Sequence, residues 1–293
     1  MTAFIAASPA ALVGPGSQVR GGLGPMMFSG SLLAALFVGG SLRLASADVE
    51  TVSGVTLRIV QPNIAQTEKW DPELRERNLS QILELSTASA TISPTHIVWP
   101  ETAATFFLGK NAAARARLSQ AVPLGGLLLT GAPRGEFSAG GTLARIWNSL
   151  QIIDESGDIV QTYDKSHLVP FGEYVPYPFR WIPGLRRMVG PVGSFGSGKD
   201  PFSFTFEDGH GRPYEVGSLV CYEDIFPELV RESVRHGADF LFVTTNDAWF
   251  GEEGCPYQHA AHSVMRAVEN GIPVLRCGNA GWSGWIDSRG YQR

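Results

Sequence analysis

Three apolar runs in this chain stop at a side chain able to do chemistry. "HIVWPE" ends at Glu101, "IVQTYDK" at Lys165 and "SLVC" at Cys221. A protonated thiol is a weak nucleophile and needs a base and a positive charge beside it. Glu101 can accept its proton as general base. Lys165 can stabilise the thiolate and then the oxyanion of a tetrahedral intermediate. The backbone N–H of Tyr222, directly after the thiol, suits a second oxyanion donor. Read singly, each residue has an ordinary alternative: Cys221 as a small core hydrophobe, Glu101 and Lys165 as surface charges. They are far apart in sequence, so spacing alone leaves the choice open.

The elements that must position them read as α/β from Val55 onward. "VTLRIVQPN" alternates and then meets Pro62, as a strand running into a loop does. "DPELRERNLSQILELSTASA" predicts a helix with Asp71 as N-cap and Pro72 in the first turn. Leu74, Leu79, Ile82, Leu83 and Leu85 supply its apolar stripe. An Ala- and Arg-rich helix is expected near 112–121. "GLLLTGAP" reads as a buried strand, and "RIWNSLQIIDESGDIVQTYDK" as a hairpin turning at 155–158. After a loop from Ser166 to Ser203, structure resumes with "YEVGSLVCYED", and "FPELVRESVRHG" and "YQHAAHSVMRAVENG" read as helices. "ADFLFVTTND", "IPVLRCGN" and "GWSGWID" read as strands. Strands alternating with helices, then paired strands, imply mixed sheets covered by helices. Strand ends line the ligand crevice in such folds, so three strands can bring carboxylate, amine and thiol to one place.

Composition narrows the class. With 293 residues, 44% hydrophobic and 17% charged, the chain can bury a sizeable core. A net charge of −5 gives no basic footprint, which argues against nucleic acid as a partner. The cysteines are Cys221, Cys255 and Cys277, an odd set without C-x-x-C, so no disulfide framework or zinc ribbon is indicated. A Cys255–Cys277 bridge is conceivable outside the cytosol, and spacing alone does not decide it. Cys255, His259 and His262 fall at i, i+4 and i+7, a zinc-compatible face. Pro256 and the lack of a fourth ligand argue against a metal there, and His259 reads as supporting the site from behind or simply packing. No metal ligand set is assigned.

The N-terminus differs from the rest. Residues 1–54 read as an apolar leader and 55–293 as one domain. Residues 21–42 carry no charge, and about 20 mostly apolar residues cross a bilayer. They read as one transmembrane helix, with a poorly ordered apolar leader as the alternative.

The motifs also carry a resemblance. "WPET", "YDKSHLVPFGEYVP", "LVCYED" and "NDAWFG" resemble, in order, the blocks around the Glu, Lys and Cys of the nitrilase, or carbon–nitrogen hydrolase, superfamily. "QPNIAQTEKW", "PFGEYVP", "CYED", "NDAWFG" and "RAVENGIPVLRCGNAGWSGWID" resemble more narrowly its membrane branch, the apolipoprotein N-acyltransferases. That resemblance implies a four-layer α-β-β-α sandwich of two mixed sheets. It implies catalytic Glu101, Lys165 and Cys221, a second essential carboxylate at Glu173, and supporting or substrate-binding Tyr222, Glu223 and Trp70. It implies a two-step transfer. The thiolate takes a fatty acyl chain from a membrane phospholipid as a thioester. The N-terminal amine of a diacylglyceryl-cysteine on a lipoprotein then accepts it. No metal or organic cofactor is implied. The implied location is the bacterial inner membrane, with the catalytic domain on the extracytoplasmic side.

In that light the loop residues Tyr174, Tyr177, Phe179, Trp181 and Met188, with Arg180, Arg186 and Arg187, suit a bilayer interface. Ordinary loop packing is the alternative. The family carries several membrane helices before this domain and a further strand and membrane segment after it, so the chain reads as truncated at both ends. Two other functions stay open: a soluble nitrilase-type amidase in which water takes the acyl group, and a non-catalytic binding module on the same fold.

Overall fold

The computed structural model describes residues 2–9, 23–46, 51–182, 194–199, 203–207, 210–251 and 253–293. These divide into two compact units, residues 1–50 and 51–293. The first holds α1 (Thr2–Ala7) and α2 (Leu23–Ser46). Within α2, Gly24–Ala45 is long and apolar enough, by length and composition, to cross a membrane. The helix continues past the expected end at Leu42 and places Arg43 in its last turn, where a cation suits the helix dipole. Residues 21 and 22 of the expected span lie outside the described residues.

The second unit is built on two five-stranded sheets. The first contains β1 (Leu57–Ile59), β2 (His96–Val98), β3 (Leu127–Phe137), β4 (Leu143–Asp154) and β5 (Ile159–Asp164), side by side in that order. β1, β2 and β3 are parallel, and β4 and β5 return antiparallel. The second sheet contains β6 (Ser203–Glu207), β7 (Pro213–Val220), β8 (Phe240–Thr245), β9 (Val274–Gly278) and β10 (Gly284–Ile286). Its three central strands β7, β8 and β9 are parallel, with β6 and β10 antiparallel at the edges. Both sheets are mixed. The helices are α3 (Gln66–Lys69), α4 (Arg75–Thr87), α5 (Ala112–Leu118), α6 (Pro227–Arg235) and α7 (Cys255–Asn270).

Strand alternation sorts the side chains into layers. Successive residues on a strand face opposite sides. Val98, Leu129 and Ile152 pack between the sheets against Val216, Val220 and Phe242. Their neighbours Ile97, Leu128 and Ile153 face outward, onto Leu79 and Ile82 of α4 and Ala114 and Leu118 of α5. Leu219, Leu241 and Val243 likewise face Val230 of α6 and Ala267 of α7. Strands buried on both faces are hydrophobic throughout, which is why β2 and β8 read as unbroken apolar runs. The result is the expected order of helix, sheet, sheet, helix.

Three details differ from the sequence reading. α4 begins at Arg75 because the Asp71 carboxylate accepts from the Glu73 N–H (2.9 Å) and holds a turn ahead of the helix. β6 lies where a loop, then a resumption at "YEVG", was expected. Phe204 and Phe206 alternate into the inter-sheet core. β3 runs on to Phe137, well beyond "GLLLTGAP". The β4–β5 turn falls where expected, fastened by Asp154, which accepts from the Ser156 and Asp158 N–H groups.

Candidate active site

Glu101 stands where the chain leaves β2. The next residue, Thr102, has φ +46°, a left-handed corner uncommon for a non-glycine residue. β3 makes room for the corner at Gly131, where an added Cβ would lie 2.3 Å from the Thr102 nitrogen and 2.6 Å from the Glu101 Cα. The Glu101 side chain is buried. Its Oε1 accepts from Asn148 Nδ2 (2.7 Å), whereas Oε2 has no hydrogen-bond partner among the described residues. An unpartnered buried carboxylate oxygen is costly, and such costs concentrate where a group must react.

Lys165 follows β5 and is 1% exposed. Its backbone N–H donates to the Asn148 carbonyl (2.8 Å), and its ammonium donates to Glu173 Oε1 (2.9 Å). Glu173 Oε1 also accepts from Asn148 Nδ2 (3.0 Å), and its Oε2 accepts from the Val169 N–H (2.8 Å). One amide on β4 therefore ties Glu101 to Glu173, and the Lys165 ammonium binds Glu173 directly. Burial disfavours the Lys165 ammonium, but Glu173, Glu101, Cys221 and Glu223 outweigh it and hold the proton on above the ordinary lysine value.

Cys221 caps β7 with φ +52°, a second left-handed corner at a reactive residue. A 3-10 turn over Cys221–Ile225 follows. Burial pushes the thiol up to about 12. The Glu101 charge adds to this, while Lys165 and a hydrogen bond with Thr245 pull it down. At rest the sulfur is a thiol, so attack requires a base.

Glu223 is the clasp between the Lys165 and Cys221 corners. Its Oε1 accepts from Tyr163 Oη (2.8 Å), the Ser166 N–H (2.7 Å) and the His167 N–H (2.9 Å), and its Oε2 from the Val220 N–H (2.7 Å). Tyr222 stacks edge-on with Phe226, ring centroids 5.0 Å apart. Trp70 is half-buried at the end of α3.

Beneath Cys221 lies a buried charge cluster that the sequence reading missed as a unit. His259 Nδ1 is 2.8 Å from Asp247 Oδ1, and its Nε2 is 3.0 Å from Asp224 Oδ1 and 3.3 Å from the Cys221 carbonyl. Arg276 pairs with Asp224 (3.1 Å) and Asp247 (2.9 Å). Burial disfavours the imidazolium, but Asp224 and Asp247 raise its pKa to about 9. "FVTTND" is one more apolar run ending in reactive polar residues, so the signal that singled out the other three also applied to Asp247. His259 is committed to two carboxylates and Cys255 is exposed, so Cys255, His259 and His262 do not form one ligand set. All three cysteines are free, and Cys277 is buried beside the Val60 and Val98 carbonyls.

Lys69 was also missed. It is 4% exposed, and its ammonium donates to the Glu101 carbonyl (2.7 Å). Burial lowers its pKa to about 8, against the pull of Glu101 and Cys221. Of the loop residues expected at a bilayer interface, Tyr177 and Trp181 are 81% and 73% exposed and Phe179 is also exposed, as is the neighbouring Ile182, whereas Tyr174 is half-buried. Arg186, Arg187 and Met188 lie outside the described residues.

The two mixed sheets with flanking helices, and the sequence itself, define the class: residues 56–291 match the carbon–nitrogen hydrolase family, and the chain belongs to it. More particularly, it is similar to apolipoprotein N-acyltransferases. It is 39% identical to that of Brucella melitensis biotype 1 over 295 residues, covering 99% of this chain and 54% of the relative. It is 36% identical to that of Rhodopseudomonas palustris over 304 residues, covering 99% of this chain and 55% of the relative. The chain thus spans about half the length of these curated relatives. Solved structures share the fold. An amidase from Nesterenkonia sp. superposes with a TM-score of 0.55 at 20% identity, covering 84% of this chain and 88% of that one. Saccharomyces cerevisiae Nit3, of the nitrilase superfamily, gives 0.56 at 19% identity, covering 83% and 86%.

Proposed function

We propose that this chain carries the catalytic domain of an N-acyltransferase that moves a fatty acyl group from a membrane phospholipid to the N-terminal amine of a diacylglyceryl-cysteine lipoprotein. The observation that carries the reading is the buried meeting of Cys221, Glu101 and Lys165. A thiol, an unpartnered carboxylate oxygen and a cation held on by carboxylates lie within one another's electrostatic reach. The named relatives supply the direction of the chemistry.

In the first half, the Cys221 proton passes to Glu101 as the sulfur attacks the ester carbonyl carbon. The Lys165 ammonium and the Tyr222 N–H stabilise the oxyanion. Collapse breaks the ester C–O bond, and Glu101 returns the proton to the glycerol oxygen, so a lysophospholipid leaves and a thioester remains. In the second half, the lipoprotein amine attacks the thioester carbonyl, Glu101 takes its proton, and the C–S bond breaks. The amide leaves and the sulfur is reprotonated. Glu173 and Asn148 hold Lys165 and Glu101 in register, Glu223 holds the two corners together, and Trp70 and Tyr222 contact the acyl substrate. Neither half calls for a metal or organic cofactor.

The substrates dictate a membrane location. Burying a methylene is worth about 0.8 kcal/mol, so a long acyl chain moved through water would cost on the order of 10 kcal/mol. α2 anchors the chain in the bacterial inner membrane, with the catalytic domain on its extracytoplasmic side. Tyr177, Phe179, Trp181 and Ile182 rest at the interface. The test is the fate of the acyl group. The full chain in detergent is loaded with acyl-labelled phospholipid and chased with a diacylated lipopeptide. Label appearing on the lipopeptide amine is expected. Label released only as free acid would make the protein a hydrolase, and no label at all would make it a binding module.

A further inference from the structure

The molecule has a second feature that the transfer chemistry does not use. A cavity of about 600 Å³ opens between the start of α4, the segment after Glu101 and the β3–β4 turn, a volume typical of ligand sites. Arg75 and Lys110 line it, and none of its lining residues is acidic. Neither cation has an ion-pair partner among the described residues. Instead the Arg75 guanidinium lies 5.4 Å from the Phe106 ring centroid and the Lys110 ammonium 5.9 Å from that of Phe137. Arg75 Nε is buried and has no hydrogen-bond partner among the described residues. Each cation lies by a ring face, which leaves its N–H donors without a carboxylate partner among the described residues.

Cations that are placed but not neutralised suit an anion. A guanidinium offers planar paired donors and a lysine a mobile point charge, the combination used for phosphate oxygens. Phe106, Phe107 and Phe137 add apolar surface beside them, which a bare inorganic ion does not need and a glycerolipid does. Shared lining residues connect the cavity to a partner of Glu101. Arg75, Thr105 and Phe106 line a second, small cavity as well, and Lys69 lines that one too. The Lys69 ammonium in turn holds the Glu101 carbonyl.

We propose that the Arg75–Lys110 cavity binds the phosphate of the acyl-donor phospholipid, fixing the headgroup while the ester reaches Cys221. This rests on the phospholipid reading above. The test is equilibrium binding, which needs no turnover and so fails separately from that reading. The full chain carrying Cys221→Ala, in non-ionic detergent, is titrated with dihexanoylphosphatidic acid and with uncharged dihexanoylglycerol. The phosphate-bearing lipid is expected to bind at least about tenfold tighter. Adding Arg75→Gln and Lys110→Gln together should bring the two affinities close to equal, while Arg75→Lys with Lys110→Arg retains most of the difference. Should the paired variant fail to fold, Lys110→Gln alone, at an exposed position, is expected to lose about threefold to fivefold. Inorganic phosphate is expected to compete only weakly. An unchanged preference in a folded Arg75→Gln, Lys110→Gln protein would overturn the proposal. So would inorganic phosphate binding as tightly as the lipid, which would make this a free-phosphate site.

Discussion

The two sheets bring matching charges to the sulfur and use them differently. From the first come two carboxylates and two cations: Glu101 and Glu173, Lys165 and Lys69. From the second come Asp224 and Asp247, His259 and Arg276. On the second side each cation is shared between both carboxylates, at 2.8–3.1 Å. On the first side Lys69 donates to a backbone carbonyl, and Glu101 Oε2 has neither a hydrogen bond nor an ion pair among the described residues, whereas Asp224 Oδ1 on the second side, also without a hydrogen bond, has the His259 ring 3.0 Å away. A closed charge network resists change in protonation, and a half-open one permits it. In the proposed reaction the second sheet holds the Cys221 corner still while the first moves the proton.

Breaking the first side should have the largest effects. Lys165→Met leaves the partly buried Glu173 without its cation, and losing one partner of a fully buried pair costs about 3–5 kcal/mol, which sets the upper bound here. Denaturant unfolding should show that loss, and acyl transfer should become undetectable. Glu101→Gln keeps the shape and an acceptor for Asn148 but removes the base. A loss of about 10²–10⁴ in transfer rate is expected with a nearly unchanged unfolding midpoint.

The second side should show itself in stability and its pH dependence. The His259 pKa is raised from 6.5 to about 9, so its contribution is complete below 6.5 and is lost as pH rises through 9. The shift corresponds to something on the order of 3 kcal/mol. Lys69 has the opposite sign. Its pKa is lowered from 10.5 to about 8, so the unfolded chain binds more protons between those values and stability gains with rising pH. His259→Gln should abolish the fall and Lys69→Met the rise, as read from unfolding free energies between pH 6 and pH 10.5. If the two variants changed the profile in the same direction, the contrast between the sheets would be lost. The smallest effect marks the baseline: Arg235 pairs with Glu232 on an exposed helix face, and Arg235→Ala should change stability by less than about 0.5 kcal/mol.

The sequence made the strands legible because burial on both faces writes continuous apolar runs, and it made Glu101, Lys165 and Cys221 conspicuous because those runs stop at them. Asn148 carried no such mark. It sits inside β4 among buried neighbours, and only the pairing of β4 with β3 and β5 brings its amide between two carboxylates. Lys69 was hidden for a related reason: a lysine in a short helix reads as exposed until the Glu101 corner closes over it. Arg276 lies in a run read simply as strand, and its two aspartates are 52 and 29 residues away. Groups at run ends can be read locally, whereas the partners that tune them are set by tertiary contact.

The most direct test is the mass of cysteine-bearing peptides after a single exposure to acyl-labelled phospholipid. Cys221 is 6% exposed and Cys255 lies at the surface, so the chain contains its own comparison. A hydroxylamine-labile acyl group on the Cys221 peptide, absent from the Cys255 peptide and much reduced in Glu101→Gln, is the predicted result. Label on Cys255 alone, or equal labelling of Cys221 with and without Glu101, would contradict a thiol activated by that carboxylate.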